Sequence, residues 1–558
     1  SSSCLPIAVT GRAKLITMRT MELLSSLLEK RSVMFRLWQL VIFTIRAVSP
    51  LSLFWLMRVA YVPQGEVCGT LLGVPSAYLY NTATAWAIIE VLFFIYYVRT
   101  RAKLELDDSN KRQHRCTTAN ERRVLIERCV AAIRGLDPAR QTKSDVNVNV
   151  DGDGDGAVPS PSVPFRQTIE GWFLGSKLED ITLDAFAEWA AWAFFNAELA
   201  DLTSDERTEL DGNLKWFQDQ VRWHFSENTD GSSGESSGGN DLRSIRLTLD
   251  KVHDTQRPLI AYAVIGVMHV IGYLGIWCMG YRFVPPDLDS VDGSNNGPAL
   301  RIYSRGVSSH ANGSLPVVFV HGIGIGFMHY LALIASLPAD VPVYLVEWPH
   351  VSMQITGGAV PSINTTVATI SARLRADGIQ KACFVGHSLG TTAVAWMLHN
   401  STARDLVATT VLLDPVTFML CDSGVAYNFL HRTPTSVIEL LMHNFVSREL
   451  FIAHTLSRHF SWSHNSLFVE DLPRPRHRAT PTSDGSTNNT TDITTTIVLS
   501  SGDSIVPTDR VKKYFAQHQH RKDIEVITLD DMQHGQAMAS LFAVRMIAGR
   551  IRAACTVN

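Results

Sequence analysis

The chain has 558 residues, and this length favours about two to four folded units over one ordinary domain. Hydrophobic residues make up 46% of the chain and charged residues 18%. This composition is too polar for a transporter with many membrane spans, and it is more apolar than is usual for a soluble protein. The net charge of -3 argues against a strongly basic surface, so we expect no nucleic-acid partner.

The N-terminal region, residues 1–104, contains two apolar segments at about 37–56 and 79–98. The first segment includes Arg46, and a charge at mid-membrane depth is costly. This segment therefore either spans a membrane or lies in its interface. The second segment ends in tyrosines and arginines, which is typical of a membrane boundary. The single charged residue of the second segment is Glu90, and one interpretation pairs it with Arg46. We favour instead that Glu90 lies near the headgroups or that its carboxyl is protonated.

Residues 105–164 are expected to form a charged helix followed by a disordered linker rich in Asp, Gly and Pro. Within the linker, residues 151–156 match the start of a calcium-binding EF-hand loop. Ser162 stands where that loop needs Glu, and no helix pattern follows. We therefore expect no calcium site there.

Residues 165–258 carry aromatic side chains at helical spacing, among them Phe186 and Trp189. This spacing favours the core of a helical region, and an amphipathic surface lying on a membrane is the alternative. A flexible linker is expected at 226–241 because this stretch is rich in Ser and Gly. A third apolar segment of spanning length follows at 259–281.

From residue 299 onward, short runs rich in Val, Ile, Leu and Phe alternate with helical patterns. Such runs are typical of strands buried on both faces, so the alternation predicts a mostly parallel, doubly wound α/β sheet. The runs are 300–304, 315–320, 341–347, 382–386, 407–413, 494–499 and 524–529.

The fourth of these runs leads into the sequence GHSLG at 386–390, and a helical pattern follows. A G-x-S-x-G motif between a strand and a helix is the nucleophile elbow. The tight turn holds Ser388 with its hydroxyl clear of the sheet, while Gly386 and Gly390 let the strand and the helix pack closely. Ser388 is therefore the predicted nucleophile, and His387, inside the turn, is interpreted as structural.

On these motifs, residues 299–558 resemble an α/β-hydrolase of the lipase and esterase kind. The resemblance implies that an acid and then a histidine follow the serine along the chain. Asp503 follows one predicted strand and His534 follows the next, so they are the implied acid and base. His534 would take the proton of Ser388, and Asp503 would orient and stabilise the imidazole. Asp414, at the end of the preceding strand, is the alternative acid.

The second run ends in the HG-x-G pattern of many members of this fold, formed here by His321, Gly322 and Gly324. The resemblance implies that this loop contributes to an oxyanion hole. Its donors would be the backbone N–H of Ile323 and that of Leu389, the residue after the nucleophile.

Residues 415–493 form an insertion much longer than a simple connection. Its first part is apolar and helical in pattern, which suits a cap over the active site, and its second part, 473–493, is expected to be disordered. Its histidines are not spaced as one ligand set, and the eight cysteines form no CxxC motif. We therefore expect no metal and no other cofactor. The histidines in question are His443, His454, His459 and His464.

Five N-glycosylation sequons all follow the third apolar segment: Asn312, Asn364, Asn400, Asn488 and Asn489. Basic residues precede that segment and acidic residues follow it. Both features favour, by a small margin, a catalytic domain on the lumenal side of an endomembrane such as the endoplasmic reticulum.

The resemblance and the apolar segments together predict a membrane-associated serine hydrolase that cleaves carboxylic esters, of acyl lipids or other apolar compounds, through an acyl-enzyme. The expected partners are this substrate and the membrane. An acyltransferase with the same triad is one alternative, since only the acceptor differs. A non-catalytic membrane scaffold is another, and the intact Ser388, Asp503 and His534 argue against it.

Overall fold

The computed structural model describes eleven stretches of the chain: 31–61, 70–71, 74–107, 118–137, 162–226, 242–285, 300–307, 314–475, 480–481, 487–488 and 492–556. Several sequence features lie mostly or wholly outside the described residues. They are the linkers at 141–164 and 226–241, the segment that resembles an EF-hand loop, the stretch 473–493, and Asn312.

The chain divides into two compact units. The first comprises Ser1–Val98, Thr255–Ala261 and Thr433–Arg448. The second comprises Arg99–Asp254, Tyr262–Arg432 and Glu449–Asn558.

Helices dominate the chain up to residue 278 and surround the strands after it. The α-helices are α1 (Arg31–Tyr61), α2 (Ser76–Glu105), α3 (Ala119–Arg134), α4 (Val163–Trp172), α5 (Leu183–Phe195), α6 (Ser204–Val221), α7 (Leu259–Cys278), α8 (Leu331–Ser336), α9 (Ile363–Ala376), α10 (Gly390–His399), α11 (Gly424–Ala426), α12 (Val437–Met442), α13 (Leu450–His454), α14 (Trp462–Asn465), α15 (Thr508–Ala516) and α16 (Leu541–Cys555). Within the described part of the chain, π-helical turns lie at Tyr427–His431, His443–Ser447 and Thr455–His459.

Among the described residues, three helices are long and apolar enough to cross a membrane by length and composition: α1, α2 and α7. Their large apolar side chains face outward. Phe43 is 69% exposed, Leu92 is 61% exposed and Val267 is 61% exposed. These surfaces make the N-terminal helical region apolar enough to associate with a membrane.

The strands form one large sheet and two short pairs. In chain order they are β1 (Thr70–Leu71), β2 (Val74–Pro75), β3 (Arg282–Val284), β4 (Arg301–Arg305), β5 (Val317–Val320), β6 (Val343–Glu347), β7 (Ala382–His387), β8 (Val407–Leu413), β9 (Thr480–Pro481), β10 (Thr487–Asn488), β11 (Thr495–Ser500) and β12 (Ile524–Leu529). The large sheet has eight strands in the order β12-β11-β8-β7-β5-β6-β4-β3. Strands β5–β8, β11 and β12 are parallel, and β3 and β4 run antiparallel at one edge.

The central strands are buried on both faces, which is why they consist of unbroken apolar runs rather than alternating ones. Every residue of β5 and β6 is buried. Helix α16 covers one face, and its Ile547 and Ile551 join a core that includes Phe319 and Val385. This packing confirms the predicted mostly parallel α/β sheet.

The helical region α3–α6 belongs to the same compact unit as this sheet. Phe186 is 3% exposed and stacks on Phe217 and Phe225 at ring-centroid distances of 5.3 and 4.4 Å. Trp172 donates its indole N–H to the carbonyl of Cys421 at 2.9 Å. The aromatic spacing therefore marks a helical core, and the alternative of a membrane-facing surface is wrong for Phe186.

Glu90 of the first unit is fully buried. Its two carboxylate oxygens accept hydrogen bonds from Ser49 Oγ at 2.5 Å and from the backbone N–H of Leu259 at 3.0 Å. Arg46 donates to Asn444 Oδ1 instead. The alternative pairing of Glu90 with Arg46 is therefore wrong, and the position of Glu90 relative to the headgroups stays a prediction.

Two other differences from the sequence interpretation have local causes. The charged helix expected from residue 105 is α3, which begins at Ala119 because Thr118 and Glu121 form a reciprocal capping box. Strand β3 was not predicted, since three residues carry too little alternation to register as a strand. It pairs with β4 and completes the antiparallel edge of the sheet.

Candidate active site

The turn between β7 and α10 presents Ser388 at the carboxyl end of the parallel strands. Ser388 has a positive φ of 50°, a conformation that costs a non-glycine residue on the order of 1–3 kcal/mol and is typical of functional sites. Its backbone N–H donates to the carbonyl of Leu413 at 2.9 Å, and its own carbonyl accepts from Thr391 Oγ1 at 2.6 Å. The surrounding backbone therefore holds the strained residue in place.

The glycines on either side make this turn sterically feasible. A Cβ at Gly390 would lie 2.2 Å from the carbonyl oxygen of Val320, and one at Gly386 would lie 2.9 Å from the Cα of Thr391. Both neighbours are backbone atoms of packed elements. Side chains at these two positions would thus force the strand and the helix apart.

His534 lies between Ser388 and Asp503. Its Nε2 is 2.8 Å from Ser388 Oγ, and its Nδ1 is 2.6 Å from Asp503 Oδ2. The other oxygen of Asp503 accepts the backbone N–H groups of Ile505 and Val506 at 2.8 and 2.9 Å. An acceptor on Nδ1 favours the tautomer whose Nε2 is free to take a proton from the serine.

Asp414 approaches the same histidine without bonding to its ring. Its carboxylate accepts from the backbone N–H of Ser500 at 2.8 Å, from Ser500 Oγ at 3.0 Å and from the backbone N–H of Gly535 at 3.0 Å. Burial raises the pKa of Asp414, and the negative charge of Asp503 raises it further, against the opposing effect of His534. Asp414 therefore supports the backbone next to His534, whereas Asp503 bonds to the imidazole.

Two opposing influences act on His534. Burial lowers its pKa, but the charge and hydrogen bond of Asp503, with a further contribution from the charge of Asp414, outweigh burial and raise the pKa above its ordinary value. A base with a raised pKa holds a proton more firmly once it has accepted one.

The loop after β5 lies directly against Ser388. A Cβ on Gly322 would come within 2.8 Å of Ser388 Cβ. The N–H groups on either side of Ile323 are occupied, since Gly322 donates to the hydroxyl of Tyr330 at 2.9 Å and Gly324 donates to the carbonyl of Val351 at 3.1 Å.

The His321 side chain ties this loop to β6. Burial lowers its pKa, which favours the neutral form of the ring. Its Nε2 accepts the backbone N–H of Trp348 at 3.0 Å, while Nδ1 lies 2.7 Å from the carbonyl of Gly322 and donates to it. The two contacts together select one tautomer and fix the loop.

His387 contacts the loop rather than the nucleophile. Its Nδ1 accepts from the hydroxyl of Tyr330 at 2.6 Å, and that hydroxyl also accepts the N–H of Gly322. Burial, with an added effect of the nearby His534, lowers the pKa of His387 well below its usual range. Tyr330 is the residue that sequence reasoning missed. No motif marks it, and only its position in the fold shows that it joins the elbow to the loop.

A small cavity of about 40 Å³ adjoins the elbow. Leu389 and Trp396 line one side, and Thr455 and Phe460 of the long insertion line another. The insertion thus contributes side chains next to the residue that follows the nucleophile.

The structure therefore brings together Ser388, His534, Asp503 and the HG-x-G loop, with Asp414 one hydrogen bond away at Gly535. Their catalytic roles stay predictions.

Residues 317–542 match the family model described as "Alpha/beta hydrolase family". A search of curated protein sequences finds no match. Among solved structures, a naproxen esterase (carboxylesterase NP) from Bacillus subtilis is 14% identical, with a TM-score of 0.29, and the alignment covers 51% of this chain and 97% of the esterase.

Two other solved structures are similar over a comparable share of the chain. A membrane phospholipase A, titled a novel bacterial virulence factor, is 13% identical with a TM-score of 0.33, covering 52% of this chain and 94% of the phospholipase. A thermostable esterase from Pseudomonas putida is 16% identical with a TM-score of 0.33, covering 54% and 91%. At these values the structural likeness carries no functional argument.

The family match and the sheet order agree on one architecture. Six parallel strands lie in the order β12-β11-β8-β7-β5-β6, and the elbow joins the strand β7 to the helix α10 as the nucleophile position of this fold requires. The C-terminal part of this chain therefore has the α/β-hydrolase fold.

Proposed function

We propose that the protein is a serine ester hydrolase that works through a Ser388–His534–Asp503 triad and an acyl-enzyme. The observation that carries this proposal is the unbroken hydrogen-bonded chain from Ser388 Oγ through both nitrogens of His534 to Asp503. A serine hydroxyl is a weak nucleophile at neutral pH, and a positioned imidazole is what activates it.

In the first step, Ser388 Oγ attacks the ester carbonyl while His534 Nε2 takes its proton. Asp503 stabilises the imidazolium that forms. The N–H groups of Ile323 and Leu389 receive the negative charge of the tetrahedral oxygen. His534 then protonates the leaving alcohol, and water repeats the sequence on the acyl-enzyme to release the acid.

The apolar helices favour a substrate that partitions into membranes. Helices α1, α2 and α7 expose apolar side chains, and we infer that they anchor the protein to a membrane where acyl lipids or other apolar esters are concentrated. An endomembrane such as the endoplasmic reticulum, with the catalytic domain on the lumenal side, is the location we propose. Mobility shifts of the full chain after endoglycosidase digestion test that side.

A fluorophosphonate probe tests the proposed nucleophile. Membranes containing the full chain should show labelling of the wild type, and Ser388→Ala should abolish it because the attacking oxygen is gone. Ser336→Ala, an exposed serine on α8, is the matched control and should label as the wild type does. A folded wild type that remains unlabelled would contradict the proposal.

The products then define the reaction. Incubation with aryl and glyceryl esters of increasing chain length should release free acid, with the longer chains preferred. Acyl product on an added alcohol in place of free acid would instead favour acyl transfer by the same triad.

A further inference from the structure

A carboxylate and two imidazoles from distant parts of the chain meet outside the candidate active site. Asp107 follows α2, His454 ends α13, and His459 ends the π-helical turn Thr455–His459. His454 Nε2 lies 3.1 Å from Asp107 Oδ2, and His459 Nε2 lies 3.6 Å from the same oxygen. One ligand atom of each residue lies within 4.8 Å of the other two.

The π-helical turn is what puts the two histidines side by side. In a regular α-helix, residues five apart point about 140° away from each other around the axis. A π-helix closes its hydrogen bonds between residues five apart, so these residues lie above one another, and such turns are frequent at functional sites. His454 and His459 have this spacing, and their ring centroids are 4.9 Å apart.

Contacts of Arg458 hold the end of α2 against this turn. Arg458 donates to the carbonyl of Glu105 at 3.2 Å and to the carbonyl of Asp250 at 2.7 Å. The Arg458 guanidinium also lies 3.5 Å from the carboxylate of Glu105. The charge of Arg458 is thereby paired with that of Glu105.

The site combines burial with access. The side chain of His454 is 0% exposed, that of His459 is 10% exposed and that of Asp107 is 25% exposed. An ion could therefore reach the cluster from the side of Asp107, while the histidines lie in a low-dielectric environment that strengthens coordination.

We propose that Asp107, His454 and His459 form a binding site for a divalent transition-metal ion, with Zn²⁺ as the best fit. Two imidazoles and one carboxylate suit Zn²⁺ and its first-row neighbours and not Mg²⁺ or Ca²⁺. Metal–ligand distances of about 2.0–2.2 Å in a tetrahedral site separate ligand atoms by about 3.3 Å. The observed separations of 3.1 and 3.6 Å lie on either side of that value.

A bound ion would join the end of α2 to the long insertion. His459, and Thr455 next to His454, also line the cavity that reaches Leu389, so the ion would fix one wall close to Ser388. The proposal revises the expectation of no metal. Spacing along the insertion could not reveal the set, because its third member lies 347 residues away from His454.

Metal content of the full chain in detergent tests the site. After loading with Zn²⁺ and dialysis against metal-free buffer, the wild type should retain about one ion per chain at this three-ligand site. The double variant His454→Gln/His459→Gln should bind Zn²⁺ more than about tenfold more weakly, since even outer partners of ligands contribute that much. Asp107→Asn should also weaken Zn²⁺ binding. Because Asp107 is partly exposed, this substitution still tests the site if the double variant does not fold.

Two controls separate this site from others. Asp414, Asp503 and His534 also cluster closely enough to hold an ion, so His534→Gln should leave the retained Zn²⁺ unchanged. His464→Gln, in the same insertion, should do so as well. Equal Zn²⁺ affinity in the wild type and Asp107→Asn, or loss of the ion in His534→Gln alone, would overturn the proposal. These results do not depend on whether Ser388 is reactive.

Discussion

At the scale of single residues, two buried carboxylates compete for the role of acid, and their hydrogen bonds differ. Asp503 accepts from the imidazole at 2.6 Å, whereas Asp414 accepts from backbone and hydroxyl donors of Ser500 and Gly535. Both carboxylates lie near His534, but only that of Asp503 lies within hydrogen-bonding distance of its ring.

Substitution of each carboxylate by its amide should separate the two roles. Asp503→Asn should lower kcat on the order of 10⁴-fold, because the imidazole loses its orienting acceptor and is held in the wrong tautomer. Asp414→Asn should lower kcat by about tenfold or less, since it weakens one backbone contact worth about 1 kcal/mol. Steady-state hydrolysis of an aryl ester measures both. The reverse ranking would make Asp414 the acid.

The pH profile should report the raised pKa of His534. The base must be neutral to accept a proton, so kcat/KM should rise as pH increases through this pKa, with a midpoint above the ordinary value of about 6.5. Asp414→Asn removes a negative charge that favours the imidazolium, so the midpoint should move to lower pH. A midpoint that is unchanged in this variant would show that Asp414 does not act on His534 electrostatically.

At the scale of elements, the elbow depends on close contact between β5, β7 and α10. Gly390 lies where a Cβ would approach the carbonyl oxygen of Val320 to 2.2 Å. The added Cβ would overlap a backbone atom of the buried strand β5, so neither rotamer changes nor solvent can relieve the overlap.

Gly390→Ala should therefore lower the free energy of unfolding by about 1–3 kcal/mol or more through overpacking, and it should reduce labelling of Ser388. Gly549→Ala is the matched control. Gly549 is an exposed position of α16 with no atom within 4 Å of an added Cβ, and the change should stabilise the helix by up to about 1 kcal/mol. Thermal unfolding of both variants measures the difference. A Gly390→Ala variant as stable as the wild type would show that the turn can relax.

The insertion shows how an element acquires a role that its own sequence does not reveal. The π-helical turn Thr455–His459 of the insertion carries His459, which lines the cavity next to Leu389 and lies close to Asp107. Trp462, a few residues later, donates to the carbonyl of Ala193 in the helical region at 2.8 Å. The insertion thereby connects the hydrolase sheet with the helices that precede it.

At the scale of the whole molecule, the apolar helices should determine where the protein resides. Leu92 is 61% exposed near the middle of α2, and Leu92→Arg should disfavour membrane insertion by about 2.5–3.5 kcal/mol if the helix spans. The membrane-bound fraction after alkaline extraction should fall accordingly. Leu541→Arg, at a 68% exposed position of α16, should leave that fraction unchanged. A wild-type chain that remains in the aqueous fraction without detergent would exclude an anchoring role for these helices.

Much of the hydrolase domain could be predicted from the sequence because its signals are local. Buried parallel strands are continuous apolar runs, and five of the seven predicted runs lie within one residue of the observed strands at both ends, as with β8 and β12. The elbow is equally local, since a glycine must stand on each side of Ser388 for the backbone to turn. The buried partners of Glu90 and the part played by Tyr330 could not be predicted, because each depends on contacts between segments far apart in the chain.

By itself, the sequence determined the fold class and the tight turn at Ser388, since hydrophobic pattern and turn sterics act over a few residues. The chain order of serine, acid and histidine was implied by the resemblance to α/β-hydrolases. Only the tertiary structure decided that Asp503 bonds to His534 while Asp414 bonds to Ser500 and Gly535, because the two acids follow the neighbouring strands β11 and β8. It also decided that Asp107 meets His454 and His459. Those contacts depend on how separate elements pack, and they cannot be predicted from residue spacing within a single segment.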